Sequence, residues 1–247
     1  MVNHNQENSS PELYAQSQHK IKIIQIDSHA REIIGSLNKS GFKAYLVGGC
    51  IRDLVLNKNP KDFDVVTDAT PEQIKKAIPR SRIIGRRFKL VHVRKGRKIT
   101  EVSTFRSKGG KRTSKTNKGI VLRDNFYGTI REDAFRRDFT INSLYLDISD
   151  MKIIDYTGGF KDLNNRELSC IGDSKLRFRE DPIRIIRAVR FLCNLDLKLK
   201  KSLKKDLINF AHLLQEIPPA RRYEEILKLF LTGNAKNNFI ALREFHI

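Results

Sequence analysis

Cysteine is scarce: Cys50, Cys170 and Cys193 are the only three in 247 residues, with no C-x-x-C spacing and no neighbouring histidine pair. That argues against a disulfide framework and against structural zinc, and it fits a reducing compartment. Long apolar runs are missing as well. No stretch reaches the roughly 18 residues that a membrane helix needs, and the N-terminus carries no hydrophobic signal core. A soluble, cytoplasmic protein without a membrane partner is expected. Internal repeats are absent. Acid is in deficit, with 28 Asp and Glu against 48 Lys and Arg, a formal charge of +20 and a pI near 10.0. This balance predicts a polyanionic partner, and nucleic acid is the commonest one. A ribosomal-type basic protein is the other reading that charge allows. The length suits one or two domains with a real core.

Residues 1–20 are rich in Asn, Gln, Ser and Glu without periodicity and read as a disordered polar tail. Ala30, Ile33, Ile34 and Leu37 recur at helical spacing, which predicts an amphipathic helix over Ser28–Leu37. Lys43–Val47 reads as a strand delivering Gly48-Gly49, and Asp62–Val66 as a second strand. Thr70-Pro71-Glu72-Gln73 is a helix start, with Thr at N-cap, Pro at N1 and Gln at N3. Phe88–Val93 and Ile99–Ser103 look like a strand pair around a Lys95-Gly96 turn. Ser107–Gly119 holds five basic residues, three glycines and no acid, and is expected to form a mobile cationic loop in contact with RNA or nucleotide. A solvated insertion is the plainer alternative. From about Leu176 the pattern turns helical, placing a boundary near residue 172.

The chemistry concentrates in Leu46-Val47-Gly48-Gly49-Cys50-Ile51-Arg52-Asp53 and Lys61-Asp62-Phe63-Asp64-Val65. Glycines between an apolar strand and a short helix let backbone N–H groups approach a phosphate without Cβ obstruction. Carboxylates at i and i+2 of an extended segment project from one face. Hard divalent cations take oxygen ligands of that kind, and a triphosphate needs both halves. Either half alone would read as a turn or a surface loop; the compound pattern, with Arg52 and Asp53 between them, points to a nucleotide with Mg²⁺. Glu101 and Asp138 are both candidates for a third acid, and an ordinary exposed strand carboxylate is the alternative for Glu101.

This compound pattern resembles the signature of the nucleotidyltransferase family that contains bacterial poly(A) polymerases and CCA-adding tRNA nucleotidyltransferases. The resemblance implies that Asp62 and Asp64 hold two catalytic Mg²⁺ ions, and that Gly48, Gly49, Arg52 and Asp53 serve the triphosphate of ATP. Arg136-Arg137-Asp138-Phe139-Thr140-Ile141-Asn142-Ser143-Leu144 is similar to the family's segment for the nucleotide's sugar and phosphates, with Ser143 where alanine is usual. A buried Arg–Asp pair is the structural alternative there. Asp155–Leu163 resembles the Gly-rich turn that links the catalytic part to the helical part, and its glycines read as a hinge rather than a phosphate site. In Arg179–Phe191, Asp181 and Pro182 read as N-cap and N1 of a helix. Arg184, Arg187 and Arg190 then form one guanidinium stripe. The resemblance implies that Asp181 and Arg184 choose the base; a solvated amphipathic helix is the alternative.

Ile83–Val93, Leu122–Ala134 and Ile217–Leu229 look like segments of the poly(A) polymerase branch, although Arg131 stands where that branch tends to have an acid. The implied fold is α+β: a nucleotidyltransferase head over 21–172, with a small mixed β-sheet flanked by helices, then an all-α, truncated neck over 173–247. The implied activity is template-independent addition of AMP from ATP to the 3′ end of mRNA or tRNA. CCA addition is one rival; a non-catalytic RNA-binding remnant, or half of a split enzyme, is another. Phe230, Leu231, Phe239, Ile240, Leu242 and Phe245 near the end suggest an apolar face that a second polypeptide would cover. Lys198, Lys200, Lys201, Lys204 and Lys205 are expected either to contact RNA or simply to keep a helix solvated.

Overall fold

The computed structural model describes residues 10–85, 89–107 and 126–247. By contact these form two units, the described residues of 10–137 with Asn142–Thr157, and Asp138–Ile141 with Gly158–Ile247. Division by contact sets 138–141 with 158–247, whereas the boundary near residue 172 rests on the helical pattern that begins at about Leu176. The cationic segment 108–119 and parts of Ile83–Val93 and Leu122–Ala134 lie outside the described residues.

The first unit runs β1 (Glu12–Tyr14), α1 (Gln16–His19), α2 (Ser28–Lys39), β2 (Ala44–Val47), α3 (Gly49–Val55), β3 (Asp64–Thr67), α4 (Pro71–Ala77), β4 (Ser81–Ile84), β5 (Leu90–Lys95), β6 (Lys98–Thr104), α5 (Ile130–Arg136), β7 (Leu144–Asp147) and β8 (Lys152–Asp155). Its eight strands make one sheet in the order β1-β8-β7-β2-β3-β6-β5-β4. The sheet is mixed: β3 pairs antiparallel with β2 and parallel with β6. The α+β expectation holds.

Local chemistry explains the helices that flank it. Asp27 caps α2 by accepting from the His29 and Ala30 N–H groups, and Ala30, Ile33, Ile34 and Leu37 are buried along one face. Thr70 and Gln73 form the expected reciprocal cap of α4, with Pro71 at its first position. Thr129 and Glu132 do the same for α5. Gly96 takes φ +62° in the β5–β6 hairpin. Val47, Val66, Phe105, Ala134 and Tyr145 pack as a buried cluster beneath the end of β2.

Two expectations need correction here. Residues 12–14 pair antiparallel with β8, and α1 follows, so the polar tail expected over 1–20 is structured in its second half. Edge pairing to a distant strand leaves no local periodicity to read. Asp62 lies outside β3, which begins at Asp64, so the two acids do not share one regular strand.

The second unit is mostly helical: α6 (Gly159–Asn164), β9 (Glu167–Leu168), α7 (Ser174–Glu180), α8 (Ile183–Leu195), β10 (Lys198–Leu199), α9 (Lys201–Phe210), α10 (Pro219–Phe230) and α11 (Ala235–Glu244). α8 is its centre and packs against α7, α10 and α11. Ile185, Ala188 and Val189 are fully buried, and Phe191 meets Phe139 edge-on at 5.7 Å. Gly159 is required: a Cβ there would stand 2.1 Å from the Thr140 carbonyl oxygen. No helix among the described residues is long and apolar enough to cross a membrane.

Candidate active site

In the first unit the sheet register builds the site. Val47 pairs with Asp64, so the chain leaves β2 through Gly48-Gly49 directly beside the first residue of β3. Val65 pairs with Val102 in the parallel β3–β6 ladder, which sets Glu101 next to Asp64 on the neighbouring strand. Gly48 has φ +76°, and a Cβ there would lie 3.3 Å from Arg137 Nη1. The turn therefore needs glycine twice over, for conformation and for the close approach of a guanidinium.

Electrostatics ties these residues together. Asp64 is reached by solvent, yet its carboxyl is pushed up to about 6, first by the surrounding protein that displaces water, then by the negative charges of Glu101 and Asp62; Arg137 opposes the rise. A carboxylate raised by two neighbouring carboxylates marks a place that is short of positive charge. Among the described residues no three His, Cys, Asp or Glu side chains converge closely enough to cage an ion. Magnesium seldom asks for such a cage: one or two carboxylates plus substrate phosphates suffice. The donor set fits.

The cations are placed by a hydrogen-bonded frame. Arg52 Nη1 donates to Asn142 Oδ1 at 2.7 Å, and its Nε and Nη2 both lie 2.8 Å from Asp53 Oδ1. Arg137 donates from Nε and Nη2 to Asp133 Oδ2, at 3.1 and 2.9 Å, and from Nη1 to the Asn142 carbonyl at 3.2 Å. Burial alone would lower the Arg137 guanidinium, but Tyr145 and Asp133 outweigh it and hold it raised, permanently charged. Arg136 is half-buried at the last position of α5.

The other expected residues lie in the helical unit. Asp138 Oδ2 accepts from Arg187 at 2.6 and 2.7 Å, and its Oδ1 accepts from the Phe139 N–H at 2.8 Å. Of the two candidates for a third acid, Glu101 acts by its charge on Asp64 and faces His92 Nε2 at 3.4 Å, while Asp138 is bound to Arg187. Asp181 is not the N-cap of α8. It closes α7, and its carbonyl rather than its carboxylate accepts the Arg184 N–H, at 3.2 Å. Only Asp181 and Pro182 separate the two helices, and Pro182 already has helical φ and ψ, which displaces the cap by one residue. Asp181 Oδ2 meets Arg221 at 2.7 Å, while Oδ1 is buried without a hydrogen-bond partner among the described residues.

The arginine stripe of α8 is divided. Arg184 turns back to the Arg177 carbonyl at 2.8 Å and to Glu180 at 3.3 Å. Arg187 and Arg190 approach the buried Glu225 at 3.7 and 3.3 Å, and Lys228 reaches it at 2.9 Å. Glu225, Asn142, Asp133 and Tyr145 carry roles not assigned from sequence. The i, i+4 spacing of Asp133 and Arg137 was the readable signal for one of them.

Comparison with known proteins now bears on this arrangement. Residues 44–169, just over half of the chain, match the family model of the poly A polymerase head domain. The chain belongs to that family. The stretch after the poly A polymerase head, residues 196–247, matches a model described as the probable RNA and SrmB-binding site of polymerase A. Poly(A) polymerase I of Salmonella typhi is 47% identical over 236 residues, covering 93% of this chain and 51% of the relative. A CCA-adding enzyme of Lactobacillus delbrueckii subsp. bulgaricus is 35% identical over 219 residues, covering 89% and 54%. The crystal structure of Bacillus stearothermophilus CCA-adding enzyme in complex with CTP superposes with a TM-score of 0.75 at 33% identity, over 87% of this chain and 51% of that one. The chain thus spans about half the length of the relatives it matches.

Proposed function

We propose that the chain is an RNA 3′-end nucleotidyltransferase that adds adenylate from ATP, as a poly(A) polymerase does. The observation that carries this reading is the crowding of Asp62, Asp64 and Glu101 beside the Gly48-Gly49 turn and Arg137, within a poly A polymerase head. In the reaction a terminal ribose 3′ oxygen attacks the α-phosphorus, the bond to the bridging β-oxygen breaks, and pyrophosphate leaves as the hydroxyl proton passes to solvent. Asp62 and Asp64 would hold divalent ions, with Glu101 adding negative charge on the neighbouring strand; when bound, two such ions activate the attacking oxygen and neutralise the leaving one. Gly48 and Gly49 let the triphosphate approach the backbone, and Arg137 supplies a fixed positive charge beside it. Arg52, oriented by Asp53 and Asn142, is the second cation of that wall, and Arg136 the third.

In the helical unit, Asp181 and Arg184 are assigned to the base. The buried open acceptor Asp181 Oδ1 supports this, because an adenine amino group could satisfy it. Arg187 and Arg190 then act chiefly through Glu225 and Asp138 to fix α8. Asp138 is retained as a contact to sugar or phosphate only through Arg187. Residues 196–247 and the basic surface would bind the RNA, in the cytoplasm. A second polypeptide, or further chain, would cover the exposed Phe230, Leu231, Phe239 and Ile240.

CCA addition is the second reading, favoured by the 35% identity to a CCA-adding enzyme. Incubating purified protein with Mg²⁺, an RNA primer and each nucleoside triphosphate in turn separates the two. Long tails from ATP alone support the main reading; CTP incorporation on a tRNA lacking its CCA end supports the second. RNA binding without any incorporation would reject both.

A further inference from the structure

Asp133 is an acid that the proposed chemistry leaves unused, although it is almost completely buried at 7% exposure. Both of its oxygens are spoken for. Oδ2 accepts from Arg137 twice and from the Tyr145 hydroxyl at 2.8 Å; Oδ1 accepts from the Arg106 N–H at 3.2 Å. Tyr145 itself is fully buried, accepts a further bond from Arg137 Nε at 3.2 Å, and lies with its ring 5.4 Å from the guanidinium carbon. An arginine side chain has four rotatable bonds, and leaving it free to sample them costs orientation at the moment a charge must be met. Here the guanidinium edge formed by Nε and Nη2 is clamped from behind, and Nη1, 3.2 Å from the Asn142 carbonyl, is the one that reaches the Gly48 turn.

We infer that Asp133 is a positioning residue, which with Tyr145 holds Arg137 against the Gly48-Gly49 turn so that its charge meets the nucleotide's phosphates. This rests on the reading of Arg137 as a nucleotide contact. A carboxylate that merely stabilised the fold could make its bonds to any donor. This one is spent on a single arginine, a tyrosine that serves the same arginine, and the backbone of Arg106, just beyond β6, the strand that carries Glu101.

The test is a kinetic comparison of Asp133→Asn, Tyr145→Phe and Arg137→Ala in the full chain, with ATP varied at saturating RNA. Asp133→Asn should raise KM for ATP roughly tenfold, equivalent to about 1.4 kcal/mol, with kcat within about threefold and KM for RNA unmoved. Tyr145→Phe, which deletes one hydroxyl, should move KM for ATP the same way by about threefold. In an Arg137→Ala background Asp133→Asn should add less than about twofold, since the two act as one unit. Loss of kcat with KM for ATP unchanged in both single variants overturns the inference, because that is what a smaller folded fraction produces. An additive effect in the Arg137→Ala background overturns it too. Should Asp133→Asn fail to fold, Tyr145→Phe decides alone by the same KM criterion. If Arg137→Ala itself leaves KM for ATP intact, the nucleotide reading of Arg137 fails, and that result is separate from the others.

Discussion

At the level of single residues, the candidate site turns on a carboxylate raised first by burial and then by two neighbouring acids. Asp64 is held near 6, against an ordinary value of 3.8, by surrounding protein and by two acidic neighbours. Between those values the folded chain binds more protons than the unfolded one, so metal-free stability falls as pH rises from about 4 to 6. Asp64→Asn should flatten that part of the thermal-unfolding profile, and addition of Mg²⁺ at pH 7 should raise Tm in the parent but not in the variant. A profile indifferent to the substitution would mean that neither burial nor the neighbouring acids raise the Asp64 carboxyl. Gly48→Ala should cost on the order of 1–3 kcal/mol in urea unfolding, because the positive φ is strained for any side chain and the Arg137 guanidinium is in the way. The two acids, the glycines and the arginines were legible as residue types at meaningful spacing. Their partners were less so: Asn142 stands in a recognised segment, yet its bond to Arg52 spans 90 positions and leaves no local trace.

Among the elements, helix starts with reciprocal caps were the most readable. Thr70-Pro71-Glu72-Gln73 forms the cap its spacing predicts, since every interaction lies within one turn. Asp181-Pro182 carries much the same local signal and misleads by one residue, because α7 ends on Asp181 and leaves its carboxylate to Arg221. β1 was invisible for the opposite reason: its pairing with β8 is wholly tertiary. The helical unit also hides its organising acid. Glu225 is buried among Arg187, Arg190 and Lys228; burial would raise its carboxyl, but the three cations together hold it below the usual range. Glu225→Ala would remove the buried carboxylate that Arg190 and Lys228 share, while Arg187 keeps Asp138, and should destabilise by about 3 kcal/mol, read as a lower midpoint in urea. A change under about 1 kcal/mol would show that α8 and α10 are held by their apolar contacts alone.

The whole molecule carries +20 on 247 residues, and residues 196–247 match a model described as the probable RNA and SrmB-binding site of polymerase A; on the proposed function that charge would meet RNA. RNA affinity should fall steeply with salt, since each phosphate contact releases counterions. A flat response in a binding titration from 50 to 200 mM salt would remove phosphate contacts as its source. The central claim is that Asp62 and Asp64 serve adenylate transfer, and the most direct measurement is incorporation of each labelled nucleotide onto an RNA primer by the parent chain and by Asp62→Ala/Asp64→Ala. The account predicts A-only tails from the parent, none from the double variant, and RNA affinity largely spared. Incorporation by the double variant at the parent's rate would contradict it.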